Sequence, residues 1–213
     1  MTAQNTSSAV MAQRVEAHDS LDHFPTPPWA TRALCEWIAS HDDRLCIFQT
    51  ALEPACAEGH MVKALAEYFS TVDGSDVHDY GFGCVRDFLW IEDLYGSYDW
   101  IITNPPFRLA DQFATKALKL AGRGVALLVR TAFLEGGERY RTLFCKTPPS
   151  DILQFCERVP MFKGRLDRKG STATAYCWLV WRKRAPHGTH FHWIAPCRKR
   201  LERDSDYPSE VAP

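Results

Sequence analysis

The spacing of apolar and polar positions predicts alternating helices and strands over most of the chain. Three stretches have apolar residues at helical spacing: 28–39, 60–69 and 110–120. Short apolar runs typical of buried strands occur at 50–54, 71–77, 98–103, 124–130, 150–156 and 173–181. This alternation predicts an α/β fold with a mostly parallel sheet and helices on both faces.

The ends of the chain lack this periodicity. Residues 1–22 are polar, and we expect a flexible N-terminal arm there. From residue 185 to residue 213, Pro, His, Arg and Asp interrupt the pattern. We expect a basic, polar C-terminal tail in which 190–194 could form a short edge strand. The predicted folded domain is therefore 23–184.

Charge changes this picture only locally. The 213 residues include 25 Lys and Arg against 26 Asp and Glu, so the total charge does not indicate a nucleic-acid binder. Between residues 157 and 203, however, twelve basic residues accompany three acidic ones. Such a basic end favours a polyanionic partner, and an ordinary solvated surface is the alternative.

The eight cysteines contain no C-x-x-C pair, and no His lies at metal-ligand spacing near them. We therefore expect buried free thiols in a reducing compartment, with no metal site. No apolar run approaches the roughly 18 residues of a membrane span. The expectation is a cytoplasmic protein without a membrane partner, either a monomer or a weak dimer.

The loops that follow the predicted strands hold the candidate chemistry, because ligands of such sheets bind beyond the carboxyl ends of the strands. The first is Glu53-Pro54-Ala55-Cys56-Ala57-Glu58-Gly59. Its small residues allow backbone to approach a ligand closely and leave N–H groups at the next helix free to bind it. A nucleoside cofactor fits this pattern, although an ordinary tight turn would also produce it.

Two acidic residues further along extend the same interpretation. Asp76 follows the next strand and could accept the hydroxyls of a ribose. Asp87 could accept the amino group of an adenine whose ring Phe88 covers. Helix capping or a turn would equally explain either Asp.

The strongest motif is Asn104-Pro105-Pro106-Phe107, directly after a buried strand. Two prolines cannot continue a sheet, so they form a stiff corner that fixes Asn104 and the Pro105 carbonyl. Two acceptors binding the hydrogens of an aromatic amine favour a tetrahedral nitrogen with a localised lone pair. The ring carrying that amine can stack on Phe107, and orientation supplies much of the rate. This arrangement predicts catalysis at an exocyclic amine of a base.

In these residues the sequence resembles the N6-adenine DNA methyltransferases, and most of all the small forms found in phages and prophages. Asn104 to Phe107 matches their catalytic (D/N)-P-P-(Y/F) tetrapeptide. The resemblance spans about 23–182. It implies a Rossmann-like class I methyltransferase fold, with a seven-stranded sheet whose last strand is reversed. It also implies S-adenosylmethionine as cofactor and DNA as partner.

The resemblance also assigns the cofactor residues. The loop from Glu53 to Gly59 is similar to the family's glycine-rich loop, and Asp76 and Asp87 fall where ribose and adenine are held. Phe24-Pro25-Thr26-Pro27 resembles the N-terminal Thr-Pro motif that lies against the methionine end of the cofactor. The expected cofactor-binding set is Thr26, Pro27, Glu53, Pro54, Ala55, Ala57, Gly59, Asp76, Asp87, Phe88 and Asn104.

Two departures from the family affect the expected function. Ala57 stands where glycine is usual, and its Cβ could crowd the methionine moiety. Little chain is left for a target-recognition domain. The basic stretch 162–171 is therefore the expected substrate loop, with Lys163, Arg165, Arg168 and Lys169 as phosphate contacts. We expect little or short sequence specificity.

Other functions remain compatible with the same motifs. The methylated amine could belong to a base of RNA or to a glutamine of a protein. The chain could also be a non-catalytic nucleic-acid-binding relative, for which Ala57 is the only support. The Thr-Pro motif favours DNA.

Overall fold

A computed structural model describes residues 22–92 and 97–207. Of the flexible arm expected over 1–22, only residue 22 lies within the described residues. The helices are α1 (Pro28–His41), α2 (His60–Leu65), α3 (Ala110–Leu120), α4 (Gly137–Arg139) and α5 (Arg198–Leu201). The strands are β1 (Thr50–Glu53), β2 (Thr71–Asp76), β3 (Cys84–Val85), β4 (Trp100–Thr103), β5 (Gly124–Arg130), β6 (Asp151–Phe155), β7 (Tyr176–Arg182) and β8 (His190–Ile194).

The strands form one sheet in the order β3-β2-β1-β4-β5-β7-β6-β8. β7 runs antiparallel to both of its neighbours, and the other pairings are parallel. The predicted mostly parallel sheet is thus confirmed. The family resemblance implies a reversed last strand, whereas the reversed strand is the seventh, β7, and the last strand, β8, is parallel to β6. The sheet has eight strands instead of seven, because β8 adds to the far edge beside β6.

The central strands β1, β4, β5 and β7 are buried on both faces, as continuous apolar strands predict, whereas β2, β3 and β8 at the edges are largely exposed. Trp100 and Ile102 of β4 pack in the layer that contains Leu34 of α1. Ile101, between them, points to the opposite layer, which contains Phe113 of α3. This alternation places helices on both faces and leaves the carboxyl ends of β1 to β4 free for a ligand.

The folded domain does not end at residue 184. β8 pairs in parallel with β6, from Asp151↔His190 to Phe155↔Ile194, which confirms the predicted edge strand. Beyond it, the Asp206 carboxylate accepts two hydrogen bonds of 2.7 Å from Arg32 of α1. Both side chains are only 4% exposed. Arg32 and Asp206 are more than 170 residues apart in sequence, so residues near the C-terminal end of the described chain contact the first helix.

Two local predictions need correction. α2 ends at Leu65 and not at Phe69, because tight turns replace it and bring the buried Phe69 toward β2. All eight cysteines are free, but only five are buried. Cys84, Cys145 and Cys156 are exposed, since their segments lie at the surface of the folded domain.

Candidate active site

A cavity of about 340 Å³ lies beyond the carboxyl ends of β1, β2 and β4. Nine of the eleven residues expected to bind the cofactor line it: Thr26, Glu53, Pro54, Ala55, Ala57, Asp76, Asp87, Phe88 and Asn104. Pro27 and Gly59 are not among the residues that line it. Pro27 precedes the first residue of α1, and Gly59 has φ +78° with no room for a Cβ beside Phe82.

The loop after β1 is held by the carboxylate of Asp76. One oxygen of Asp76 accepts the N–H of Ala57 at 3.0 Å, and the other accepts the N–H of His78 at 3.0 Å. Ala57 itself has φ +43°, the left-handed region that glycine favours. Ala57 thus adopts a backbone conformation that suits glycine. Ala57 also lines the cavity.

Glu53 is a buried acid on the cavity wall. It is 2% exposed, and its Oε2 has no hydrogen-bond partner among the described residues. Burial raises the pKa of Glu53 well above its ordinary value, and the negative charge of Asp76 raises it further. Burial therefore favours the neutral form of Glu53, whereas a cationic ligand group in the cavity would favour the carboxylate.

Asp87 and Phe88 line the same cavity. Asp87 Oδ1 accepts the N–H of Leu89 at 2.9 Å and so caps a short helical turn, as the capping alternative predicted. Phe88 is 1% exposed and packs on Phe113 with ring centroids 5.1 Å apart. Since both residues also line the cavity, capping and ligand contact are compatible at this position.

Asn104 is positioned by its amide nitrogen. Its Nδ2 donates to the carbonyl oxygen of Phe24 at 2.8 Å and lies 3.7 Å from the Met161 sulfur. These contacts orient the amide so that Oδ1 is a buried acceptor without a partner among the described residues. A buried unpaired acceptor is costly, so a ligand donor at this point would gain from pairing with it.

The remainder of the tetrapeptide surrounds Asn104. Pro105 is buried, and Pro106 lines the cavity. Phe107 is half-buried and is not among the described residues that line the cavity. Its ring centroid is 5.2 Å from that of Phe24, and the Arg130 guanidinium carbon lies 4.1 Å from the Phe107 centroid.

The segment 22–26, here called the N-terminal strap, joins the parts of the site. Asp22 accepts the N–H of Phe107 at 2.5 Å, and His23 pairs with Glu58 of the cofactor loop at 2.9 Å. The His23 carbonyl accepts the N–H of Gly164 at 2.9 Å. Sequence reasoning found Thr26 and Pro27 through the family motif but missed Asp22 and His23, because no local pattern marks these long-range contacts.

The predicted substrate loop lies beside the strap, at Gly164, but its charges are partly engaged. Arg168 pairs with Asp204 at 2.7 Å, and Arg165 lies 3.5 Å from Asp167. Lys163 and Lys169 are exposed. Arg168 is therefore a weaker candidate for a phosphate contact than the sequence indicated, because its charge is balanced within the chain.

The same pairing extends along the whole basic end of the chain between residues 157 and 203. Seven of its arginines form ion pairs with acidic side chains: Arg165, Arg168, Arg182, Arg184, Arg198, Arg200 and Arg203. Much of the positive charge seen in the sequence is thus paired with acidic side chains, although most of these arginines remain exposed.

Across residues 22–92 and 97–207, no cluster of three or more His, Cys, Asp or Glu side chains is arranged to hold a metal ion. The same residues contain no helix with the length and apolar character needed to cross a membrane.

The strand order and the position of the cavity define the Rossmann-like methyltransferase fold. No protein-family model and no curated protein matches the sequence. A provisionally assigned modification subunit of a type I restriction enzyme from Vibrio vulnificus YJ016 matches with a TM-score of 0.54 and 16% identity, covering 91% of this chain and 51% of that chain. The present chain thus spans about half the length of that subunit.

A provisionally assigned RNA methyltransferase from Pyrococcus horikoshii matches with a TM-score of 0.56 and 14% identity, covering 82% of this chain and 96% of that chain. The magnesium protoporphyrin IX methyltransferase of Synechocystis PCC 6803, with bound SAM, matches with a TM-score of 0.46 and 14% identity. This match covers 72% of the present chain and 77% of that chain. At these identities the likeness shows the fold alone.

Proposed function

We propose that this chain transfers a methyl group from S-adenosylmethionine to the exocyclic N6 amine of adenine in DNA. The observation that carries the proposal is the buried, unpaired Oδ1 of Asn104. The Phe24 carbonyl orients this acceptor through Nδ2, and Asn104 lies on the cavity wall together with the two acidic residues expected at the cofactor.

The cavity fits an adenosyl cofactor in size and in chemistry. Its volume of about 340 Å³ lies within the usual range of small-molecule sites. Asp76 retains lone pairs beyond the two that bind backbone N–H groups, so it can accept ribose hydroxyls. The buried Oγ1 of Thr26 and Oε2 of Glu53 lack partners among the described residues and would be satisfied by the polar methionine end.

S-adenosylmethionine supplies an electrophilic methyl group on a sulfonium. Asn104 Oδ1 accepts one hydrogen of the target amine, and the Pro105 carbonyl accepts the other. This pairing would localise the nitrogen lone pair and aim it at the methyl group. As the N–C bond forms, the bond between the methyl carbon and the sulfonium would break and release S-adenosylhomocysteine, and the methylated amine would lose one proton to solvent. Orientation and fixed dipoles then supply the rate, without a strong general base. Because N6 is inaccessible to the cavity in a duplex, the adenine must be flipped out of the stack.

The test is transfer of labelled methyl groups from S-adenosylmethionine to unmethylated DNA, RNA and protein in parallel. We expect N6-methyladenine in DNA and none with Asn104→Ala, whose cofactor affinity stays near that of the unmodified protein. Asn104→Asp keeps an acceptor but loses the N–H that donates to the Phe24 carbonyl. Its rate of methyl transfer should therefore lie between that of the unmodified protein and that of Asn104→Ala.

Each outcome decides the proposal. Label in RNA or protein would retain the methyltransferase activity and overturn the DNA substrate. An equal loss of cofactor binding in Asn104→Ala would make Asn104 a structural residue. Absence of both label and cofactor binding would favour the non-catalytic relative, with Ala57 as the cause.

A further inference from the structure

Arg130 is the last residue of β5 and is exposed at the active-site edge of the sheet. Its register partner on β7 is Tyr176, which is only 3% exposed. Burial raises the pKa of Tyr176, and the nearby Arg130 guanidinium opposes that rise. Arg130 is thus rooted in the rigid sheet while its charged end reaches the catalytic corner.

The guanidinium of Arg130 stacks on the Phe107 ring. A separation of 4.1 Å between its central carbon and the ring centroid is a close cation–π contact. The other ring beside Phe107 is Phe24, at 5.2 Å and tilted by 41°. Asp22 holds the backbone of the same residue by accepting its N–H at 2.5 Å. Phe107 is therefore fixed at its backbone by the strap and at its ring by Arg130.

An aromatic ring has two faces for stacking, and Arg130 takes one of them. We propose that Arg130 is a positioning residue for the target base, holding the Phe107 ring so that its remaining face receives the flipped adenine. This inference rests on the proposed function. Arginine suits the role because its planar head stacks on a ring, whereas the compact ammonium of lysine does not stack in this way.

A double-mutant cycle between Arg130 and Phe107 tests the inference. Arg130→Met keeps an apolar stem but removes the stacking head, and Phe107→Leu keeps apolar bulk without an aromatic face. If Arg130 acts through the ring, Arg130→Met lowers kcat about tenfold in the unmodified background and causes no further loss beside Phe107→Leu. Additive losses would overturn the inference, since they would mean that Arg130 contacts substrate independently.

Arg130→Lys separates stacking from charge. It keeps the positive charge, so a residue that merely attracts DNA phosphate would retain kcat and the KM for DNA. We expect kcat to fall as in Arg130→Met, with cofactor affinity and melting temperature unchanged. 2-Aminopurine at the target position should also fluoresce differently with this variant than with the unmodified protein. Full activity of Arg130→Lys would refute the positioning role.

Arg139 supplies the matched control. Its guanidinium lies 3.9 Å from the Phe133 ring, the same kind of contact away from the cavity wall. Arg139→Met should leave kcat unchanged, and a loss equal to that of Arg130→Met would refute a specific role for Arg130. No transfer by the unmodified protein would instead overturn the proposed function, and this inference with it.

Discussion

Replacing Ala57 by glycine should stabilise the protein, although Ala→Gly usually does the opposite. Ala57 has φ +43°, where an L-residue carries a cost of about 1–2 kcal/mol that glycine avoids. Glycine adds freedom to the unfolded chain, which lowers stability by about 0.5–1 kcal/mol. The net effect is a gain of about 0.5–1 kcal/mol in the free energy of unfolding.

The same loop contains a control for this substitution. Ala55 is half-buried, lies two residues away and does not have a positive φ. Ala55→Gly should therefore lower the free energy of unfolding by about 0.5–1 kcal/mol. Urea denaturation of both variants measures the two effects, with opposite signs expected. Equal destabilisation would refute the argument that Ala57 is held in a conformation costly to alanine.

Cofactor affinity gives an independent measurement on the same variant. Because Ala57 lines the cavity, removing its Cβ should tighten binding of S-adenosylmethionine in calorimetry. Unchanged affinity would show that this Cβ does not crowd the methionine end.

Three further predictions concern buried charges. Burial, and then the negative charge of Asp76, raises the pKa of Glu53. The stability that is present below the ordinary carboxyl pKa is therefore lost as the pH rises toward the raised pKa. Glu53→Gln removes this loss, so in urea denaturation at pH 5 and pH 8 the stability advantage of Glu53→Gln over the unmodified protein should grow with pH. An identical pH dependence in both proteins would contradict this. Arg32→Ala should lower the free energy of unfolding by about 3–5 kcal/mol, because it leaves the carboxylate of Asp206 buried without the Arg32 guanidinium. A decrease of less than about 1 kcal/mol in the free energy of unfolding would contradict this argument. Burial opposes ionisation of Asp151, but hydrogen bonds, the strongest of them from Arg182, lower its pKa below the ordinary value of 3.8. The stability that ionised Asp151 adds is therefore present above pH 3.8 and is lost as the pH falls through the lowered pKa. Asp151→Asn should therefore be less stable at neutral pH and converge with the unmodified protein in acid, and parallel acid-unfolding curves would count against this.

The Asn-Pro-Pro-Phe motif located the corner that we propose to be catalytic, but the fine geometry of this corner depends on residues far away in the sequence. Asn104 at the end of β4 is visible in the sequence, because a buried strand makes an apolar run and two prolines end it. The direction of its amide depends on the Phe24 carbonyl, 80 residues away. Likewise, the sequence suggested stacking on Phe107, whereas only the folded chain brings Arg130 onto that ring.

The sequence by itself predicted the longer helices α1 and α3, the strands β1, β2, β4, β5, β6 and β7, and the order of the motifs, because periodicity and turn residues act locally. Only the tertiary structure decided that β7 inserts between β5 and β6 and that β8 extends the sheet. It also decided which acidic side chains pair with the arginines of the basic end, such as Asp204 with Arg168 and Asp151 with Arg182. Strand pairing and ion pairing join residues far apart in sequence, and packing of the whole chain selects their partners.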